Sequence, residues 1–196
     1  EESILVNLES GLYDGMPQGD FDVILDRESH NPGEKIMEKL TAGAYLGELG
    51  RLMLLAAADE GLLSAGSGAR VCELGRIDAA VIDAWASGEK LDLAADNAAD
   101  ADFAQTVSLE LFRRSAQCMC ANLAGIMLLT GAGDDAARPV CVCAEGSLVD
   151  RSRHFRPVLE ALLDEYAAGR LGKHAVLRVS RETTLPGSAA AALLNR

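Results

Sequence analysis

Pro139-Val140-Cys141-Val142-Cys143-Ala144 and, further on, His174-Ala175-Val176-Leu177-Arg178-Val179 are short, apolar and rich in β-branched residues. Both read as buried strands. Residues 155–168 between them carry a helical pattern, and a last helix is expected from about residue 187. Strand, helix, strand, helix in that order predicts a right-handed βαβ unit on a parallel sheet, and so an α/β fold. In such sheets ligands collect outside the carboxyl ends of the strands, where helix N-termini favour phosphates. Ala144-Glu145-Gly146-Ser147 and Leu185-Pro186-Gly187-Ser188 follow the two strands and are candidate ligand turns. Each glycine taken singly is equally what any turn needs.

Working outward, Ser3-Ile4-Leu5-Val6-Asn7-Leu8 reads as a further buried strand, followed by a loop punctuated by Gly11, Gly15, Pro17 and Gly19. Phe21, Val23, Ile24 and Leu25 suit a short helix or an extended piece. In Asn31-Pro32-Gly33-Glu34, Asn31 can cap and Pro32 suits a first helical position, so a helix is expected from about residue 32. A second, over about 45–61, has Leu46, Leu49, Leu52, Met53 and Leu55 as its stripe. Gly43, Gly47 and Gly50 allow close backbone approach there. Residues 64–70 read as a flexible loop, 76–86 as a helix stopped by Gly88, and 92–102 as a short helical piece plus a connector. The longest helix is expected over about 101–130, with Val107, Leu111, Ser115, Cys118, Asn122 and Ile126 near one face and Gly131 ending it.

The chain has 196 residues, 30 acidic and 18 basic, for a formal charge of -12. Such a surface repels phosphate backbones and anionic membranes, so neither nucleic acid nor membrane is an expected partner. Four Phe, three Tyr and one Trp are too few for a base-stacking platform. No apolar run approaches the roughly 18 residues of a membrane span, and the first residues show no signal peptide. Glu1 in place of Met suggests a piece of a longer chain. Five cysteines in two Cys-x-Cys pairs plus Cys72 form no disulfide framework. They are expected to serve as small hydrophobes in a reduced compartment, the cytoplasm. His30, His154 and His174 show no ligand-like spacing to either pair, and no metal site is expected.

Two carboxylates stand out. Glu9 ends the first strand, and Glu38 lies on the helix that begins near Asn31. Two carboxylates flanking a cleft can do acid/base work, bind a cation or accept hydrogen bonds from sugar hydroxyls. The alternative is a pair of solvated surface acids.

Val6-Asn7-Leu8-Glu9-Ser10-Gly11 resembles the asparagine-x-glutamate segment of the hexokinase family. Phe21-Asp22 through Asp26, Asn31-Pro32-Gly33, Glu38-Lys39-Leu40 and Gly43-x-Tyr45-Leu46-Gly47-Glu48-Leu49-x-Arg51-Leu52 resemble, in order and spacing, the segment that follows it. Met119-Cys120-Ala121, Leu123-Ala124-Gly125 and Glu145-Gly146-Ser147 also look like the family's. The resemblance is dense over residues 3–63 and patchy beyond. It implies an actin-like (ribonuclease-H-like) ATPase fold with a mixed sheet and several helices, residues 1–196 being one domain, the C-terminal portion of a hexokinase large domain. It further implies a hexose and ATP as partners, ATP and Mg²⁺ as cofactors, and transfer of the γ-phosphoryl group to a hexose 6-hydroxyl. Asn7, Glu9 and Glu38 match sugar-binding positions; Glu145, Gly146, Ser147, Gly187 and Ser188 match nucleotide-contacting turns. The chain departs from the pattern at Ala44, where many members carry a phosphate-contacting lysine, and in a reduced adenosine turn at Leu185-Pro186-Gly187-Ser188-Ala189. The family's catalytic aspartate is expected upstream of the strand at residue 3, so the chain alone is expected to be inactive. The rival expectation is a catalytically silent module that binds sugar or a partner.

Overall fold

A computed structural model of the chain describes residues 7–179 and 184–194. The helices in order are α1 (Asp20–Glu28), α2 (Ile36–Thr41), α3 (Gly43–Asp59), α4 (Ala65–Glu73), α5 (Ala79–Ala86) and α6 (Ala98–Thr130). Strand β1 (Val140–Ala144) follows, then α7 (Ser147–Arg151) and α8 (Phe155–Leu162). A π-helical turn (Leu163–Ala168) joins α8 to α9 (Gly169–Leu171), and β2 (Ala175–Val179) and α10 (Thr184–Leu194) are the last elements among the described residues. β1 and β2 pair in parallel with Val140 opposite Ala175 and Ala144 opposite Val179. The expected mixed sheet is represented among the described residues by this one parallel pair. The crossover from β1 to β2 runs through α7, α8 and α9, as the strand-helix-strand reading requires. The strand expected over 3–8 falls mostly outside the described residues; Asn7 and Leu8 are exposed coil.

Helix α6 is the spine. Asn97 caps it by accepting from the Asp100 amide at 3.0 Å, and Gly131 ends it in a left-handed conformation. Its buried residues include Val107, Ser108, Leu111, Phe112, Ser115, Ala116, Cys120, Ala124 and Met127. The expected face was half right: Val107, Leu111 and Ser115 are buried, whereas Cys118, Asn122 and Ile126 are only partly so. The apolar stripe drifts around a helix of this length, because several elements cover it in turn: α2, α3, α5 and α8 all pack on it. Trp85, Ile82, Leu46, Leu49, Phe155 and Leu159 complete one continuous core.

Three expectations about helix starts are corrected. The helix expected from residue 32 begins at Ile36. The Asn31 carbonyl instead accepts from the Glu34 amide at 3.2 Å in a turn, and Gly33 and Lys35 both adopt left-handed backbone. The loop expected over 64–70 is the start of α4. Ser64 caps it by accepting from the Ser67 amide at 3.2 Å, and Val71 is fully buried. Gly66 and Gly68 are poor helix formers, but they pack against Asp96 and Ala58, so tertiary contact overrides propensity. The last helix starts at Thr184, three residues before the expected position.

The caps of α4 and α6 are tied together. Asp96 accepts from the Ser64 and Ser67 hydroxyls at 2.8 and 2.9 Å, and Asp100 accepts from the Ser64 amide at 2.9 Å and the Asn97 amide group at 2.7 Å. Hydrogen bonds from Ser67 foremost, then from Ser64, hold the Asp100 carboxyl down at about 2.

An unfolded aspartate titrates at ~3.9. Because the folded value is depressed, the Asp100 contribution is complete above about pH 4 and disappears as the pH falls towards 2. Urea unfolding of the native chain and Asp100→Asn should therefore differ by a constant amount at neutral pH, with the gap closing between about pH 4 and 2. A gap that persists unchanged to pH 2 contradicts this.

The three glycines of α3 behave as their spacing suggests. A Cβ on Gly47 would run into the backbone carbonyl of Ile77, and one on Gly50 would meet the Ile82 side chain. Gly125 of α6, by contrast, has open space around it. Gly47→Ala should lower unfolding free energy by about 1–3 kcal/mol through overpacking, while Gly125→Ala should raise it by ~0.5–1 kcal/mol through helix propensity. Denaturant midpoints of the two variants read both signs.

Candidate functional site

The segment entering the first 3-10 turn, Ser10–Leu12, carries two of the expected sugar-binding residues. Asn7 donates to the Glu9 carboxylate at 2.7 Å, and both side chains are exposed. Glu9 has φ 44° and ψ 42°, a left-handed conformation uncommon for a residue with a Cβ. Strain of this kind, of order 1–3 kcal/mol, gathers at functional positions. The turn lies against α2: the Met37 amide donates to the Tyr13 carbonyl at 3.0 Å, and a Cβ on Gly11 would sit 3.5 Å from that of Glu38. Asn122 of α6 donates to the Ser10 hydroxyl at 3.0 Å. The Ser10–Leu12 turn that follows Asn7 and Glu9 thus packs against the helix that carries Glu38. The Glu38 side chain is partly exposed and paired at 3.3 Å with Lys35.

What positions Glu38 is its neighbour. Lys39 is only 3% exposed and donates to Asp26 at 2.6 Å and to the Asn31 carbonyl at 2.7 Å. Asp26 also accepts from the Gly33 amide at 2.9 Å. The Lys39 ammonium, with Gly33, holds the Asp26 carboxyl below the usual range. This knot staples α1 to the Asn31-Pro32-Gly33 turn and fixes the angle at which α2 begins. The sequence shows Asp26, Asn31 and Lys39 in its motif but not that they touch. Asn122, read from its spacing as part of a buried stripe, is a support of the Ser10 turn.

The carboxyl end of β1 makes the other part of the site. Gly146 has φ 130° and no atom within 4 Å of a Cβ built on it, so its backbone faces open space. Two clefts meet at Gly43, Ser147 and Leu148. One, of about 460 Å³, is bounded by Met119, Val142, Cys143, Glu145, Gly146 and Phe155 among others. The second, about 440 Å³, runs past Ala44, Asp78, Ala80, Asp83 and Arg151. Both volumes suit a small ligand. Asp83 accepts from the Ser152 hydroxyl at 2.8 Å, the Arg153 amide at 2.9 Å and the Arg153 guanidinium at 3.1 Å. Burial opposes its charge, but these donors keep its carboxyl below the usual range. The pair locks the α7–α8 corner to α5, and His154 adds a 2.8 Å contact with Ser87 while stacking on Phe112.

Glu145, Gly146 and Ser147 therefore line a cleft, as a nucleotide turn would. Gly187 and Ser188 lie in the first half of α10 and are exposed; the link at 180–183 is outside the described residues. β1 and β2 are parallel and Ala144 pairs with Val179, so the two strands end at the same side of the sheet, but Gly187 and Ser188 are helical residues of α10 and not the turn expected there. Mg²⁺ takes hard oxygen ligands. Asp78 already caps α5 through the Ala80 and Val81 amides, Asp83 is engaged as above, and no three metal-ligating side chains converge among the described residues. These residues do not form a Mg²⁺ cage.

A family model described as hexokinase matches residues 1–194. The chain belongs to the hexokinase family. Hexokinase-1 of rice (Oryza sativa subsp. japonica) is 30% identical to it over 95% of the chain, and rice Hexokinase-7 is 28% identical over the same share. The chain spans 41% and 44% of those two relatives, less than half of either. The crystal structure of a hexokinase superposes over 90% of the chain with a TM-score of 0.73 at 23% identity. A hexokinase from Schistosoma mansoni, complexed with glucose, does so over 89% with the same score at 20% identity. The fold is thus of the actin-like ATPase type.

Within this hexokinase domain the buried Lys39–Asp26 pair makes a direct prediction. Removing one partner leaves an uncompensated buried charge, at a cost of about 3–5 kcal/mol. Lys39→Met should therefore be strongly destabilised in urea unfolding, and adding Asp26→Asn should restore part of the loss. Equal stability of Lys39→Met and the native chain would show that the pair does not hold the turn.

Proposed function

We propose that the whole protein is a sugar kinase that moves the γ-phosphoryl group of ATP, with Mg²⁺, to the 6-hydroxyl of a hexose, and that this chain is the C-terminal portion of its large domain. The observation that carries this reading is the packing of the Ser10–Leu12 turn, directly after Asn7 and Glu9, against the α2 helix of Glu38, in a chain whose family is hexokinase. Carboxylates take hydrogen bonds from sugar hydroxyls strongly, because the acceptor is charged. Asn7 keeps the Glu9 carboxylate oriented, and the Lys39 knot sets the position of Glu38. The glucose in the Schistosoma hexokinase supports a hexose as the ligand.

On the nucleotide side, Gly146 and Ser147 offer backbone to phosphate at the carboxyl end of β1, with Glu145 beside them. Gly187 and Ser188 follow the neighbouring strand. ATP supplies the group that is transferred. Phosphoryl transfer is mostly positioning and charge neutralisation, plus a base for the hydroxyl proton. In this reading the residues of this chain bind and orient, and the base belongs to another part of the protein. The chain by itself is then inactive.

Glu9→Gln and Glu38→Gln test the sugar side in the full-length protein. Each keeps the side-chain size and removes a charge-assisted acceptor worth on the order of 1.5–3 kcal/mol. In a coupled ATP–hexose assay kcat/KM for the hexose should fall at least tenfold, with Tm nearly unmoved. Unchanged kcat/KM in both variants would return the two glutamates to ordinary surface acids. Hexose binding with no turnover in the unmutated full-length protein would favour the silent module.

A further inference from the structure

Cys141 and Cys143 were expected to be small hydrophobes, and for Cys120, which is buried, that expectation holds. For the β1 pair it fails. Val140, Val142 and Ala144 turn inward against the core, while Cys141 and Cys143 are exposed on the opposite face of the strand. Residues i and i+2 of a strand share a face, and here the two Sγ atoms lie 4.0 Å apart. We propose that Cys141 and Cys143 form a bidentate dithiolate site for one thiophilic d¹⁰ dication of the Zn²⁺/Cd²⁺ class.

The geometry favours a metal over a disulfide. Two sulfurs bound to one tetrahedral Zn²⁺ at ~2.3 Å stand ~3.8 Å apart, close to the spacing present. A disulfide prefers a Cα separation of ~5.5–6 Å. Residues i and i+2 of an extended strand stand ~6.6 Å apart along it, near the upper end of the ~4.4–6.8 Å that disulfides span. Binding forms two metal–sulfur bonds, breaks two S–H bonds and releases two protons, with no change of oxidation state. No third His, Cys, Asp or Glu joins the pair among the described residues, so water completes the coordination. This inference is independent of the sugar-kinase reading.

The test is titration of the reduced full-length protein with Cd²⁺ alone, following sulfur-to-metal charge-transfer absorption and proton release. Cys141→Ser, Cys143→Ser and Cys72→Ser are run in parallel, with circular dichroism to check that each folds. The expected result is one Cd²⁺ per chain, with affinity at least tenfold weaker in each β1 variant and unchanged in Cys72→Ser, whose thiol lies on α4. Absent charge-transfer absorption in the native protein, equal affinity in all variants, or one ion shared by two chains would overturn the site.

Discussion

Helix α3 comes so close to the chain at Ile77–Asp78 that Gly47 has no room for a methyl group. Much of the domain follows from that constraint. The same face of α3 carries Gly43, which rests on Ala79 and Leu148, and Gly50, which lies beneath Ile82 and Leu111. Each glycine gives up helix propensity, and the return is a backbone-to-backbone approach that side chains would forbid. It draws α3, α5, α6 and α7 to a common meeting point. The two clefts beside Ser147 and Leu148 open there because α3 presents no side chain at Gly43 to fill them.

Charge pairs then fix what packing alone leaves adjustable. Lys39 binds Asp26 beneath the Asn31-Pro32-Gly33 turn, and Arg153 and Ser152 bind Asp83 at the α7–α8 corner. Arg114 adds a third tie, reaching Asp22 of α1 at 2.6 Å from the spine helix. Such pairs are poor sources of net stability when buried, but removing one partner is costly, so they specify position. Glu38 and the Glu145-Gly146-Ser147 turn each sit directly beside one of these ties. The candidate site residues thus hang from rigid anchors rather than from their own contacts.

The βαβ order, the extent of α3 and α6 and the glycine stripe were legible because each rests on local pattern: β-branched runs, a long periodicity, or a missing side chain at helical spacing. The start of α2 was not. Asn31-Pro32 carries every local sign of a cap, yet Lys39 claims the Asn31 carbonyl from eight residues on, and Gly33 and Lys35 turn left-handed. α4 was hidden for the opposite reason, since its glycines look flexible until Asp96 and Ala58 are seen against them. In the site, Asn7, Glu9 and Glu38 were named from their motif. Lys39, Asp26 and Asn122 were visible as letters but not as partners, because their hydrogen bonds are long-range facts of the fold.

Hydrogen–deuterium exchange on the full-length protein, with and without glucose, tests most directly the claim that the Ser10 turn and α2 form one sugar-binding surface. The account predicts that glucose slows exchange together at residues 9–13 and 36–41, with the Met37 amide, bonded to Tyr13, among those protected. Glucose binding that leaves both segments unprotected while slowing exchange elsewhere would contradict it.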